Sequence, residues 1–112
     1  MANRHRGEIE AELGDRRRTL CLTLGALAEL EAAYGDEDLL SLAVRFEGGA
    51  IGARDAIRII GAGLRGAGQD ISDGEVAALP VEGGAAGYIR IVADLLQATF
   101  APAEQVDPPA GN

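Results

Sequence analysis

The sequence predicts an α+β fold: an N-terminal β-hairpin, then a small bundle of four to five short helices, then a disordered C-terminal tail. Three observations carry that expectation. Apolar residues alternate with a period of two on both sides of Gly14-Asp15. From Thr23 onward the apolar period becomes helical and is interrupted repeatedly by glycine. The final stretch APAEQVDPPAGN holds three of the chain's 4 prolines and little apolar bulk. The expected organisation is a flexible segment 1–6, a single hairpin-plus-helices domain 7–100 and a tail 101–112.

The hairpin occupies Gly7 to Leu22. Ile9, Ala11 and Leu13 alternate with Glu8, Glu10 and Glu12, so one face of this strand is apolar and the other acidic. Gly14-Asp15 then places glycine at the first central position, as a type II′ turn requires. Pairing Leu13 with Arg16 across that turn sets Ile9 opposite Leu20 and Glu12 opposite Arg17, which puts apolar against apolar and opposite charges together. Leu20 and Leu22 share one face of the returning strand, with Thr19 and Cys21 on the other.

Thr23 can cap a first helix whose inner stripe is Leu27, Leu30 and Tyr34, with Gly35 at the C′ position. Asp36-Glu37-Asp38 places negative charge at the start of a second helix with the stripe Leu39, Leu42, Ala43 and Phe46, stopped by Gly48-Gly49. A third helix begins near Ala53, carries Ile57, Ile60 and Leu64, and loosens through Gly66 and Gly68. Ser72 and Glu75 form an S-x-x-E capping box for a short fourth helix that ends at Pro80. After Gly83-Gly84 a last helix runs to Phe100, with Tyr88, Ile91, Val92, Leu95 and Thr99 at helical spacing. Ile89, Leu96 and Phe100 turn away from that stripe. A helix apolar over two faces must bury the second somewhere: against the hairpin, which is the plainer expectation, or against a partner helix, which makes these three residues the candidate partner-binding surface. If they are core instead, the binding face is to be sought on the helix from Leu39 to Phe46.

Composition removes whole classes of function. Net charge is −8, from 10 basic residues, all arginine, against 18 acidic ones. Nucleic-acid affinity comes largely from counterions released by basic side chains, so nucleic acid is not an expected partner. One Cys and one His leave no His/Cys zinc site and no disulfide within the chain. The longest run without a charge, Thr19 to Ala28, falls short of the roughly 18 apolar residues of a membrane span. No membrane partner, no cofactor and no metal are expected.

The chemical motifs dissolve on inspection. Gly61-Ala62-Gly63-Leu64-Arg65-Gly66 is a literal G-x-G-x-x-G, but it lies within a helical pattern and is followed by a loop, where a dinucleotide site needs a strand before it and a helix after it. Small residues that allow two helices to approach account for it better. Cys21 has no base within reach in sequence, because the single His5 is sixteen residues away. Asp70-Ile-Ser-Asp-Gly-Glu lacks calcium-loop ligand spacing, and helix capping explains the same residues. Arg16-Arg17-Arg18 reads as charge that guards an edge strand against sheet-to-sheet association. No catalytic constellation is present, so the chain is not expected to be an enzyme, and surfaces for binding protein remain.

The pattern RGEIEAELGDRRRTLCLTLGALAELEAAYG, with DLLSLAVRF, ARDAIRIIGAGLRGAG and GYIRIVADLLQATF following it, resembles the gene-transfer-agent branch of phage tail proteins over residues 7 to 100. The order Gly14-Asp15 departs from the Asp-Gly expected at that turn. The resemblance implies work in building a siphophage-like tail. It implies a tail assembly chaperone that binds the tape measure protein and assists polymerisation of the tail tube protein, or alternatively a structural tube component that stays in the particle. A bacterial cytoplasmic location, with association to the particle, follows from the same resemblance, and self-association is left open.

Overall fold

The computed structural model describes residues 7–100, and the readings made for 1–6 and 101–112 lie outside them. The order of elements is β1 (Glu8–Leu13), β2 (Arg16–Cys21), α1 (Leu24–Ala33), α2 (Leu39–Glu47), α3 (Ala53–Gly66), α4 (Asp73–Ala77) and α5 (Gly84–Phe100). This is the α+β arrangement that the sequence predicts.

The hairpin forms in the predicted register, with Ile9 opposite Leu20, Glu12 opposite Arg17 and Leu13 opposite Arg16. Gly14 has φ +75° whereas Asp15 does not enter the left-handed region, which is the type II′ pattern. Ile9, Leu13, Leu20 and Leu22 are all buried. Charge pairing on the outer face is diagonal: Arg17 Nε lies 2.9 Å from Glu10 Oε1 and not on the directly opposite Glu12. Arg18 is drawn inward, donating to Leu13 O at 3.0 Å and to Gln69 Oε1 at 2.8 Å. One member of the arginine run therefore ties the hairpin to the segment after α3.

Local capping fixes the helix ends. Thr23 Oγ1 accepts from Ala26 N at 3.1 Å, Asp38 Oδ1 from Ser41 N at 2.8 Å, and Ser72 Oγ from Glu75 N at 3.1 Å. Glu75 returns the bond to Ser72 N at 2.9 Å, so the capping box read from the sequence is complete. At the other end of α1, Gly35 N reaches Ala32 O and Asp36 N reaches Glu31 O, the paired bonds of a Schellman motif with Gly35 at φ +74°. The end of α3 repeats the motif, with Gly68 N on Arg65 O and Gln69 N on Leu64 O. α4 closes at Ala77, three residues short of Pro80, because Ala78 and Leu79 N–H groups turn back on Glu75 O and Val76 O.

α3 is the centre of the fold. Its N-terminal half is amphipathic, but Ile59, Ile60, Gly61, Ala62, Gly63 and Leu64 are buried without a break. A helix covered on all sides must be packed by neighbours all round, and β2, α1, α4 and α5 all pack on α3. The predicted inner stripe is corrected accordingly: Ile60 and Leu64 are buried, Ile57 is only half-buried, and Ile59 is fully enclosed. In α1 the inner positions are Ala26 and Leu30, while Leu27 and Tyr34 are half-buried.

The glycines of the G-x-G-x-x-G stretch set the distances of approach. A Cβ on Gly66 would collide with the Cys21 carbonyl oxygen at the end of β2. One on Gly63 would stand 2.8 Å from Leu95 Cδ2 of α5 and 3.3 Å from Leu20 Cβ. The small-residue reading holds, with a correction: the closest approach is to a strand backbone, and helix–helix approach is secondary. Arg65 anchors the same end of α3, contacting Glu29 of α1, donating from Nη1 to Ile71 O at 2.9 Å and lying 3.0 Å from Asp73 Oδ1. That ion pair and the Ser72 cap occupy the acidic stretch around residues 70–75, and among the described residues no cluster of metal-ligating side chains occurs.

Gly66→Ala should destabilise the protein by about 1–3 kcal/mol despite alanine's better helix propensity, because the obstructing atom is backbone and cannot swing aside. Gly25→Ala is the contrast: in α1 its Cβ would meet only Thr23 Oγ1 at 3.9 Å, so a gain of up to about 1 kcal/mol is expected. Chemical denaturation of both variants checks this, and a Gly66→Ala protein as stable as the parent would contradict the packing described.

Candidate partner-binding groove

α5 carries two apolar stripes. Val92 and Leu95 are fully enclosed and face the body, with Tyr88 half-buried beside them. Tyr88 donates its hydroxyl hydrogen to Leu79 O, joining α5 to the end of α4. Ile89, Ala93, Leu96 and Phe100 follow at spacings of four, three and four, which gathers them within about 60° of the helix circumference. This second stripe lies about 100° from the enclosed one. Ile89 is 42% and Phe100 37% exposed, and Leu96 is half-buried.

Opposite this stripe stands α2. Leu42 and Phe46 turn inward, and Phe46 packs edge-on against Tyr34 with ring centroids 5.9 Å apart. Ala43, Phe46 and Glu47, with Gly49 and Ile51 of the connection to α3, form one wall of a groove of about 690 Å³. Ile89, Ala93, Leu96, Gln97 and Phe100 form the other. Among the described residues, Glu47 is the single charged side chain in the lining. Leu40 and Val44 flank the same wall on its outer side, 75% and 62% exposed.

A cluster around Tyr34 holds α2 to the body. The Tyr34 hydroxyl donates to Asp55 Oδ1 at the start of α3, and Asp55 Oδ2 accepts from Gly52 N at 2.9 Å. The Arg45 guanidinium of α2 lies 5.2 Å from the Tyr34 ring centre and 3.9 Å from Asp55 Oδ1, and it reaches Glu37 at 3.7 Å. Arg58 sits 5.0 Å from the same ring centre. Burial, followed by the hydrogen bond to Asp55, pushes the Tyr34 phenol up to about 12, so it remains a donor at neutral pH. Burial alone would raise the Asp55 carboxyl, but the bonds from Tyr34 and Gly52 and the charges of Arg45 and Arg58 hold it below its usual value. The cluster's contribution is complete above the ordinary carboxylate range and declines as pH falls through the lowered Asp55 pKa; at the alkaline end it declines as pH rises through that of Tyr34.

The three residues singled out from the sequence, Ile89, Leu96 and Phe100, thus line one wall together. The alternative helix, Leu39 to Phe46, supplies the other, so the two candidate faces are two sides of one groove. Sequence reasoning missed Glu47, Ile51, Ala93 and Gln97. Ala93 was legible in principle, falling on the Ile89–Leu96–Phe100 stripe, whereas the α2 wall depends on how the chain folds back. Cys21 is half-buried, with its thiol pushed up by burial and then by the nearby Glu8 carboxylate, which suits a strand residue and not a nucleophile.

A family model described as phage tail tube protein, GTA-gp10, matches residues 6–102. The chain belongs to that family. Its membership covers every element described above and agrees with the resemblance drawn from the sequence. No curated protein and no solved structure matches the chain. The family assigns a role in a phage-type or gene-transfer-agent tail. No described helix is long and apolar enough to cross a membrane.

The two stripes of α5 should separate in stability measurements. Leu95→Ala is expected to cost about 2–5 kcal/mol, as for a fully enclosed leucine. Phe100→Ala should cost less than about 1 kcal/mol and leave the circular dichroism spectrum unchanged. Equal losses for the two variants would mean that the outer stripe is core.

Proposed function

We propose that this protein is a component of the tail tube assembly that is retained in the particle, and that the groove between α2 and α5 is where it engages another tail protein. The observation that carries the reading is the outer α5 stripe of Ile89, Leu96 and Phe100, facing an apolar α2 wall across open space. Exposed apolar surface gathered in one groove marks a contact surface. The description of the matching family supports retention over a transient role. The activity is association and not catalysis, and it begins in the bacterial cytoplasm, where such particles are built.

A second reading is that of an assembly chaperone that binds the tape measure protein, keeps it soluble and helps tube subunits polymerise around it. The observation favouring it is the sheet, which has only two strands among the described residues and leaves helices to form the groove. Such a groove suits recognition of a helix.

Quantitative mass spectrometry of purified particles decides between them. Retention predicts this protein at a fixed stoichiometry to the other tail proteins after extensive washing. Its presence in assembling lysates and absence from finished particles would replace the first reading with the second.

A further inference from the structure

We propose that the occupant of the α2/α5 groove is an amphipathic α-helix of another protein, with an apolar stripe on one side and Arg or Lys along its flank. The proposal rests on the reading of this groove as a partner surface and adds the chemistry of what fills it. The walls decide the secondary structure of the occupant. α2 and α5 have their backbone N–H and C=O groups turned into their own helices, so they offer no ladder to an incoming strand. A strand laid there would bury its own backbone groups without partners, whereas a helix brings its backbone already satisfied. The stripe from Ile89 to Phe100 extends about 16 Å along α5, which is three turns of a docked helix. Ridges spaced four, three and four residues apart on α5 ask for apolar residues at matching i, i+4, i+7 and i+11 positions.

Charge decides the flank. The chain carries −8, and five of its 10 arginines are held in contacts within the fold. Arg17 is held by Glu10, Arg18 by Leu13 O and Gln69, Arg65 by Glu29 and Asp73, and Arg45 and Arg58 by Tyr34 and its surroundings. Among the described residues, the one charge in the groove lining is Glu47, which is exposed. A basic flank meets this carboxylate and the net negative charge of the chain. A second copy of this chain brings a like net charge, and the chain's own segment 101–112 carries Glu104 and Asp107 with no basic residue. Both are poorer occupants than a cationic helix.

The test uses the full chain and two labelled synthetic helical peptides with the same Leu/Ala stripe, one flanked by Lys and the other by Glu, read by fluorescence anisotropy. The Lys peptide should bind at least about tenfold tighter at low ionic strength, and the preference should shrink in high salt. Ala93→Arg, at an exposed position in the lining, should abolish binding with an unchanged circular dichroism spectrum, and Glu47→Lys should weaken the preference for the Lys peptide. Equal binding of the two peptides overturns the basic flank, and binding unaffected by Ala93→Arg overturns the groove as its seat. A dimer in sedimentation that Ala93→Arg dissociates assigns the groove to a second copy and overturns the proposal. Particle stoichiometry is independent of all these outcomes, so failure of the retained-component reading is distinguishable from failure of this one.

Discussion

Ile59 to Leu64 of α3 have no face turned to solvent, and the rest of the fold is arranged to cover them. Covering a helix on every side requires neighbours to come close on every side, and bulk on α3 would keep them away. Glycine at 63 and 66 removes that bulk where Leu95, Leu20 and the Cys21 carbonyl press inward. The helix-propensity penalty of these glycines, about 1 kcal/mol each, is offset by burial of Ile59, Ile60, Leu64, Leu20 and Leu95, each contributing roughly 1.5–3 kcal/mol. The hairpin, too small to be stable alone, acquires its stability by laying Ile9, Leu13 and Leu20 into this core.

α2 stands outside that arrangement. It packs chiefly on α1, with Leu42 and Phe46 as its buried side chains. Its attachment depends on Arg45, Tyr34 and Asp55, a set of polar and cation–π contacts that are individually modest. α5 shows the opposite balance, firmly seated through Val92 and Leu95 yet apolar on its far side. The groove is what results when α5 gives only one of its two apolar stripes to the core and α2 is hung beside the other. The physical demand on α3 therefore explains both the firmness of the body and the open surface next to it.

Local features were legible in the sequence because local chemistry decides them. The hairpin register follows from alternation and from Gly14, and the caps at Thr23, Asp38 and Ser72 follow from side chains that reach three residues ahead. Ile59 was not legible, since a stripe is a sensible expectation for any helix until its neighbours are known. The role of Gly66 was half legible: its smallness pointed to a close approach, but the Cys21 carbonyl it admits is brought there only by the tertiary fold. The same holds for the groove. Ile89, Leu96 and Phe100 could be read from α5 alone, while the opposing Ala43, Phe46 and Ile51 wall could not, because nothing local states where α2 will lie.

Native-state hydrogen exchange tests most directly the claim that α3 organises the body and that α2 is attached to it more weakly. Amides of Ile60, Leu64 and Leu20 should exchange only through global unfolding, and those of Phe46 and Glu47 in α2 through a smaller opening at distinctly lower free energy. Protection in α2 equal to that in α3, with the same dependence on denaturant, would contradict the account.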